Sequence, residues 1–241
     1  MIPSLVVTSW SDKDDDRYGP VWIEGLVAHW GWTEAKYKVL TDQEMLADPE
    51  VRAFRARESD SKTTSGHPRW GALKWSWKVF ALTMEPMPTT GWMVWIDGDV
   101  EFIKTPTREF FDVVCPENAD ITYLGRPWAY ASETGFVAYR MDCPAVRDLL
   151  RAMRQTYLTG AFRTLKNWGD NAVFDQNLRQ LGLAEADNTI FDHHRDQIPS
   201  LRLNNLAAHC AGPDLHVWPA TVLAPYLAHH KGPGRKAAAY P

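Results

Sequence analysis

With 241 residues, 45% of them hydrophobic and 23% charged, the chain has an ordinary soluble, globular composition, enough for one large α/β domain or two small ones. Its net charge of −4 gives no general pull toward nucleic acid or anionic membrane, although it leaves room for a local basic patch. No apolar run reaches the ~20 residues of a membrane span, and the start Met1-Ile2-Pro3-Ser4 lacks the basic region of a signal peptide. Three scattered cysteines, Cys115, Cys143 and Cys210, suit reduced thiols in the cytoplasm better than a disulfide frame or a zinc cluster.

Residues 4–8 (SLVVT) read as an opening buried strand. Segment 20–30 (PVWIEGLVAHW) sets apolar residues at helical spacing, with Pro20 suited to a first turn. A short strand over 37–40 and a helix over 43–54 follow. Residues 57–67 (RESDSKTTSGH) are polar, contain Gly66 and read as a loop that orders on ligand binding. The pattern then predicts a helix over 69–84, strands over 93–97, 120–125 and 135–140, and helices over 145–157 and 171–181. Beyond 187 the chain is irregular. Strand and helix alternate in the first half, which predicts an α/β fold with a mainly parallel central sheet flanked by helices. The second half predicts a small additional mixed sheet. Neither an internal repeat nor a linker-like tract interrupts the chain, so residues 1–241 read as one domain. The twelve tryptophans suit core filling or platforms for flat ligands.

The stretch WMVWIDGDVEF, residues 92–102, carries the strongest chemical signal. A buried-looking strand runs into Asp97-Gly98-Asp99, and in open α/β sheets ligands bind at the carboxyl ends of strands. Alternation along an extended chain puts both acids on one side. Two convergent carboxylates make a hard oxygen site for Mn²⁺ or Mg²⁺. A plain Asp-Gly turn is the simpler reading. An EF-hand loop fails, because its glycine position holds Phe102 and its glutamate position holds Arg108. His193, His194, His209 and His216 lack the spacing of a zinc motif. G-x-S-x-G, G-x-x-x-x-G-K-[ST] and G-x-G-x-x-G are all missing from the sequence.

The strand-plus-DxD resembles the nucleotide-sugar glycosyltransferases of the GT-A fold. Further pieces resemble their retaining branch, which includes glycogenin and bacterial galactosyltransferases. Ser132-Glu133-Thr134-Gly135 resembles that branch's strand entry, and Asp175-Gln176-Asn177 its Asp-Gln pair at a helix start. Leu203-Asn204 resembles its Leu/Tyr-Asn element, and His229-His230-Lys231-Gly232-Pro233-Gly234-Arg235 its C-terminal His-x-x-Gly-x-x-Lys. Arg235 replaces the lysine, the following Pro-Trp is absent, and Glu133 stands where a smaller polar residue is common. The WIDGDV, YLGR and SETGF stretches also resemble small bacterial and phage glycosyltransferase-like proteins.

The resemblance implies a metal-dependent enzyme that moves a sugar from a nucleotide diphosphate, a UDP-sugar first of all, to a hydroxyl acceptor with retention. Residues 1–100 would bind the nucleotide and 101–241 the sugar and acceptor. Asp97, Asp99 and His229 would hold Mn²⁺ (or Mg²⁺). Thr8, Ser9 and Trp10 would meet the base and ribose, with Tyr18 stacking on the base. Gly232 and Arg235, with Lys231 and Lys236 beside them, would wrap the diphosphate. Lys74 and Lys78 would reach the donor, or simply form a solvated basic face. Glu133, Asp175 and Gln176 would meet the sugar hydroxyls and the reacting face; Asp175 is otherwise a helix cap, a role for which Asp170 competes. Two other readings are a carbohydrate-binding protein without turnover and a metal-dependent nucleotidyltransferase or phosphohydrolase. A glycan, a lipid, a protein, a small molecule or a modified DNA base all remain as acceptor. Arg52, Arg55, Arg57 and Lys62 give the last a basic cluster.

Overall fold

Trp92–Ile96 forms strand β3, buried at all five positions, as an apolar run without alternation requires of a central strand. The structure, a computed structural model, describes residues 5–10, 28–29, 36–59, 71–98, 100–124, 132–181, 203–206 and 226–229. Strand β1 (Leu5–Trp10) pairs with β3 in parallel, Leu5 opposite Met93. On its other side β1 pairs in parallel with β2 (Lys36–Thr41). The far flank of β3 takes β6 (Glu133–Arg140) antiparallel, Ile96 opposite Phe136. Then come β5 (Ile121–Leu124), antiparallel to β6, and β7 (Leu203–Asn205), parallel to β5. The order is β2-β1-β3-β6-β5-β7. The expected mainly parallel sheet is thus a mixed one: β6 runs against both its neighbours, while the other strands share one direction. The expected small mixed sheet is an antiparallel pair, β4 (Val100–Phe102) with β8 (Leu227–His229).

Helices cover both faces. Val7, Met93, Trp95 and Tyr139 point to one face. There they meet α2 (Pro49–Ser59), α3 (Ala72–Leu82), α5 (Pro144–Leu158) and α6 (Asp170–Gln180). Val6, Val94, Ile96 and Ala138 point to the other face, packed against α4 (Arg108–Val114) and the β4–β8 pair. An aromatic knot ties the first layer together. Phe54 stands edge-on to Phe80 at 5.2 Å and to Tyr157 at 6.1 Å. Such pairs add about 1 kcal/mol each beyond their buried area.

The helix expected over 43–54 is two helices, α1 (Asp42–Leu46) and α2. Pro49 cannot continue α1 because it lacks an N–H. Asp48 instead caps the restart, accepting from Glu50 N at 2.9 Å. The loop expected over 57–67 begins as the last turn of α2, and 60–67 lie outside the described residues. So does the helix expected over 20–30, except that 28–29 are helical. Strand β4, helix α4 and strands β7 and β8 had no counterpart in the pattern reading. Among the described residues no helix is long and apolar enough to cross a membrane.

Candidate active site at the end of strand β3

Asp97 follows β3 directly, and its backbone N–H donates to Gly135 O at 2.9 Å, prolonging the β3–β6 ladder by one step. Val100 N then donates to Asp97 O at 3.0 Å, which turns the chain into β4. Across β4, Val100 pairs with His229. The backbone of β8 therefore runs beside β4, two residues on from Gly98. Asp99 lies outside the described residues, and His229 is described in its backbone only.

The Asp97 carboxylate is held by two donors on one oxygen. Trp95 Nε1 donates to Oδ1 at 2.6 Å, and Lys78 Nζ reaches the same atom at 2.8 Å. Lys78 comes from α3, which also carries Val79, Phe80 and Leu82 into the core. Its ammonium is almost entirely buried. It also contacts Asp170 Oδ2 at 2.7 Å, and donates to Thr134 O at 2.9 Å and Thr134 Oγ1 at 3.1 Å. Thr134 Oγ1 in turn donates to Asp170 Oδ2. Burial acts to lower the lysine's pKa, but Asp170 and then Asp97 overcome that and raise it above the ordinary value, so Lys78 is a fixed cation. The Asp97 side chain remains 26% exposed against 4% for Asp170. The cluster thus opens outward at Asp97.

Glu133 stands beside it. Its Oε1 accepts from Gly135 N at 3.0 Å. A Cβ added at Gly135 would lie 3.1 Å from Glu133 Oε1 and 3.2 Å from Asp97 Oδ2. Glycine at this position is what lets the two carboxylates converge over the backbone.

Asp175 belongs to a separate buried pair. Ser132 N and Ser132 Oγ donate to its two oxygens at 2.9 and 2.6 Å. Burial pushes its carboxyl up to about 6, with the Ser132 bonds and Arg179 pulling the other way. It is no helix cap: α6 begins at Asp170, so Asp170-Asn171 occupies the helix start expected for Asp175-Gln176. Gln176 accepts from Arg179 at 3.0 Å on its own helix.

The remaining expected residues divide. Lys74 is exposed, 4.8 Å from the Trp75 ring, and does not join Lys78. Thr8 is fully buried, and its Oγ1 has no hydrogen-bond partner among the described residues. Ser9 and Trp10 continue β1 opposite Leu40 and Thr41. Tyr18, Gly232 and Arg235 lie outside the described residues, as do Lys231, Lys236 and His230. Asp170, weighed only as a cap, and Thr134 are the site residues that pattern reading missed. The Gly169-Asp170 step into an apolar-periodic run was the available signal.

Among the described residues, no three His, Cys, Asp or Glu side chains gather in ligating geometry. The metal set expected from the sequence needs Asp99 and the His229 imidazole, outside that description. What the described residues offer is a half-buried carboxylate, with Lys78 and Trp95 on Oδ1 and with Oδ2 beside Gly135. That hard oxygen donor suits Mn²⁺ or Mg²⁺.

No protein-family model and no curated protein sequence matches the chain. Among solved structures, it is similar to the apo crystal structure of mouse xyloside xylosyltransferase 1. That match has 9% identity and a TM-score of 0.45, covering 76% of this chain and 83% of that one. Likeness at this level assigns neither a fold family nor an activity.

Proposed function

We propose that the chain is a metal-dependent glycosyltransferase of the GT-A type. It would move a sugar from a nucleotide diphosphate, UDP first among the candidates, to a hydroxyl acceptor with retention. The observation that carries this reading is the pairing of Val100 with His229. It sets the backbone of His229, the first residue of the His-x-x-Gly-x-x-Arg element, beside the strand that follows the acids, which supports a metal shell drawn from Asp97, Asp99 and His229. Asp97, Asp99 and His229 would hold Mn²⁺ or Mg²⁺, which supplies positive charge to the departing diphosphate. Lys78 and Trp95 hold Asp97 Oδ1, so the carboxylate needs little reorganisation when substrate arrives. Glu133, half-buried beside it, is placed to accept a sugar hydroxyl.

A panel of nucleotide sugars with Mn²⁺, scored for released nucleoside diphosphate, tests the reading. Slow diphosphate release from one donor, abolished by EDTA and by Asp97→Asn, is the expected result. Pyrophosphate release from a nucleoside triphosphate would point to a nucleotidyltransferase instead. Sugar binding without turnover would point to a carbohydrate-binding protein. Product configuration by NMR decides between retention and inversion.

A further inference from the structure

We infer that Asp175 is a positioning residue, closing on Ser132 so as to fix where Glu133 stands beside Asp97. That position matters for turnover only where Glu133 meets the sugar, so the inference rests on the transferase reading above. The sequence reading sends Asp175 to the sugar itself, but the structure turns it inward. Asp175 and Ser132 are both buried. The carboxylate accepts from Ser132 N at 2.9 Å on Oδ2 and from Ser132 Oγ at 2.6 Å on Oδ1. A carboxylate that closes on one residue's amide and hydroxyl fixes its backbone and its side chain together.

The chain is held on both sides of Glu133. Two residues past Ser132, Thr134 Oγ1 donates to Asp170 Oδ2, and Lys78 Nζ donates to the Thr134 carbonyl and hydroxyl. Asp170 and Asp175 both belong to α6, so one helix grips Ser132 and Thr134, with Glu133 between them in the chain. Glu133 is half-buried, and its Oε1 accepts from Gly135 N at 3.0 Å. A Cβ added at Gly135 would lie 3.1 Å from that oxygen and 3.2 Å from Asp97 Oδ2, which puts the Glu133 carboxylate at the outward-opening side of the cluster. The Glu133 side chain thus starts from a backbone pinned at both neighbours. Its carboxylate sits at the end of three rotatable bonds, so a small turn of that backbone carries it a long way. A misplacement of about 1 Å is enough to cost a reaction on the order of 100-fold.

Asp175→Ala opens the clasp but leaves Ser132 N buried without its acceptor and risks unfolding. Ser132→Ala removes only the hydroxyl bond and carries the test if Asp175→Ala does not fold. Asp175→Asn keeps both bonds and serves as the rescue. Each protein is labelled with ¹³C at the glutamate carboxyls and compared by NMR at one pH, the Glu133 signal being assigned by its loss in Glu133→Gln. That signal should hold its place in Asp175→Asn, move in Ser132→Ala and move further in Asp175→Ala. The signals of Glu109 and Glu117, both exposed and on other segments, should stay where they are. A stationary Glu133 signal in Ser132→Ala, or one that moves only along with Glu109 and Glu117, overturns the inference. Turnover gives a second readout. Ser132→Ala should lower kcat/KM for the nucleotide sugar on the order of tenfold with Glu133 present and change it little in Glu133→Gln, as expected of residues that act through one another. Equal losses in both backgrounds also overturn it. If Glu133 moves but no nucleotide sugar is turned over, the transferase reading fails and the positioning of Glu133 by Asp175 stands. If a sugar is turned over while Glu133 stays still, that reading stands and the inference falls.

Discussion

Gly135 and Asp97 meet so closely that a side chain at 135 would stand 3.2 Å from Asp97 Oδ2. The same added carbon would lie 3.1 Å from Glu133 Oε1. Both distances are short enough that one carboxylate must move. The Gly135→Ala variant should therefore lose roughly 1–3 kcal/mol of stability, in line with overpacking. Its turnover should fall further than the melting curve explains, on the order of tenfold, because the group that moves belongs to the site. Full activity in Gly135→Ala would mean that neither carboxylate touches the reacting groups.

Asp170 should matter to stability far more than the ion pairs at the rim. It is buried, and it shares its Lys78 partner with Asp97. Removing it leaves a buried cation short of one counter-charge, a defect worth about 3 kcal/mol. Glu50 pairs with Arg154 at 2.9 Å, but its side chain is 61% exposed and Arg154 keeps Asp48 at 2.6 Å. Its loss should cost less than about 1 kcal/mol. Urea unfolding of Asp170→Ala and Glu50→Ala at pH 7 checks the order; a reversal would mean the Lys78 cluster is solvated.

Much of the frame was legible because it rests on local pattern. The run Trp92 to Ile96 announces a central strand, and the approach of Asp97 to its end follows from chain order alone. Lys78 was visible as a lysine on an apolar helix. Its partner was not, because Asp170 meets it only after four strands and two α-helices have folded between them. The short strands β7 and β8 are three residues each, too brief for an alternation to show. The reversed direction of β6 was equally hidden, since the spacing of strands does not tell a hairpin-like return from a crossover. Helix α4 did leave a signal that pattern reading passed over: Thr107 caps it by accepting from Phe110 N.

Asp175 predicts a specific pH dependence. Its folded pKa is about 6, above the ordinary value of 3.8. Folding therefore favours its protonated form. The stability it contributes is fully present below the unfolded value and is lost as pH rises through about 6. The shift corresponds to about 3 kcal/mol between pH 4 and pH 7. An Asp175→Asn variant keeps the geometry, since the amide oxygen can accept from Ser132 N while its NH₂ donates to Ser132 Oγ. Relative to wild type, that variant should gain stability as pH rises from 4 to 7 and match it most closely near pH 4. Urea unfolding of both proteins across that range is the measurement, and a difference independent of pH would show that Asp175 is ionised throughout.

The two adjacent histidines give the last test. The His-x-x-Gly-x-x-Lys pattern fits His229, Gly232 and Arg235 in register; starting from His230 it finds Pro233 where glycine is needed. The backbone adds an independent reason. His229 pairs with Val100, which follows the Asp97-Gly98-Asp99 turn directly, whereas β8 ends at His229. Successive residues of an extended chain face opposite sides, so only one imidazole of the pair can share a cation with the acids. On the proposed metal shell, His229→Ala should raise the Mn²⁺ concentration needed for half-maximal rate by at least on the order of tenfold or abolish turnover, since even an outer-shell partner of a metal is worth about 10–100-fold. His230→Ala should change it little. Leu227 anchors β8 in the core beside Phe102, so neither substitution removes the strand's main apolar contact, and both variants should melt near wild type. A larger Mn²⁺ effect in His230→Ala would shift the register by one residue and move the glycine and arginine roles with it.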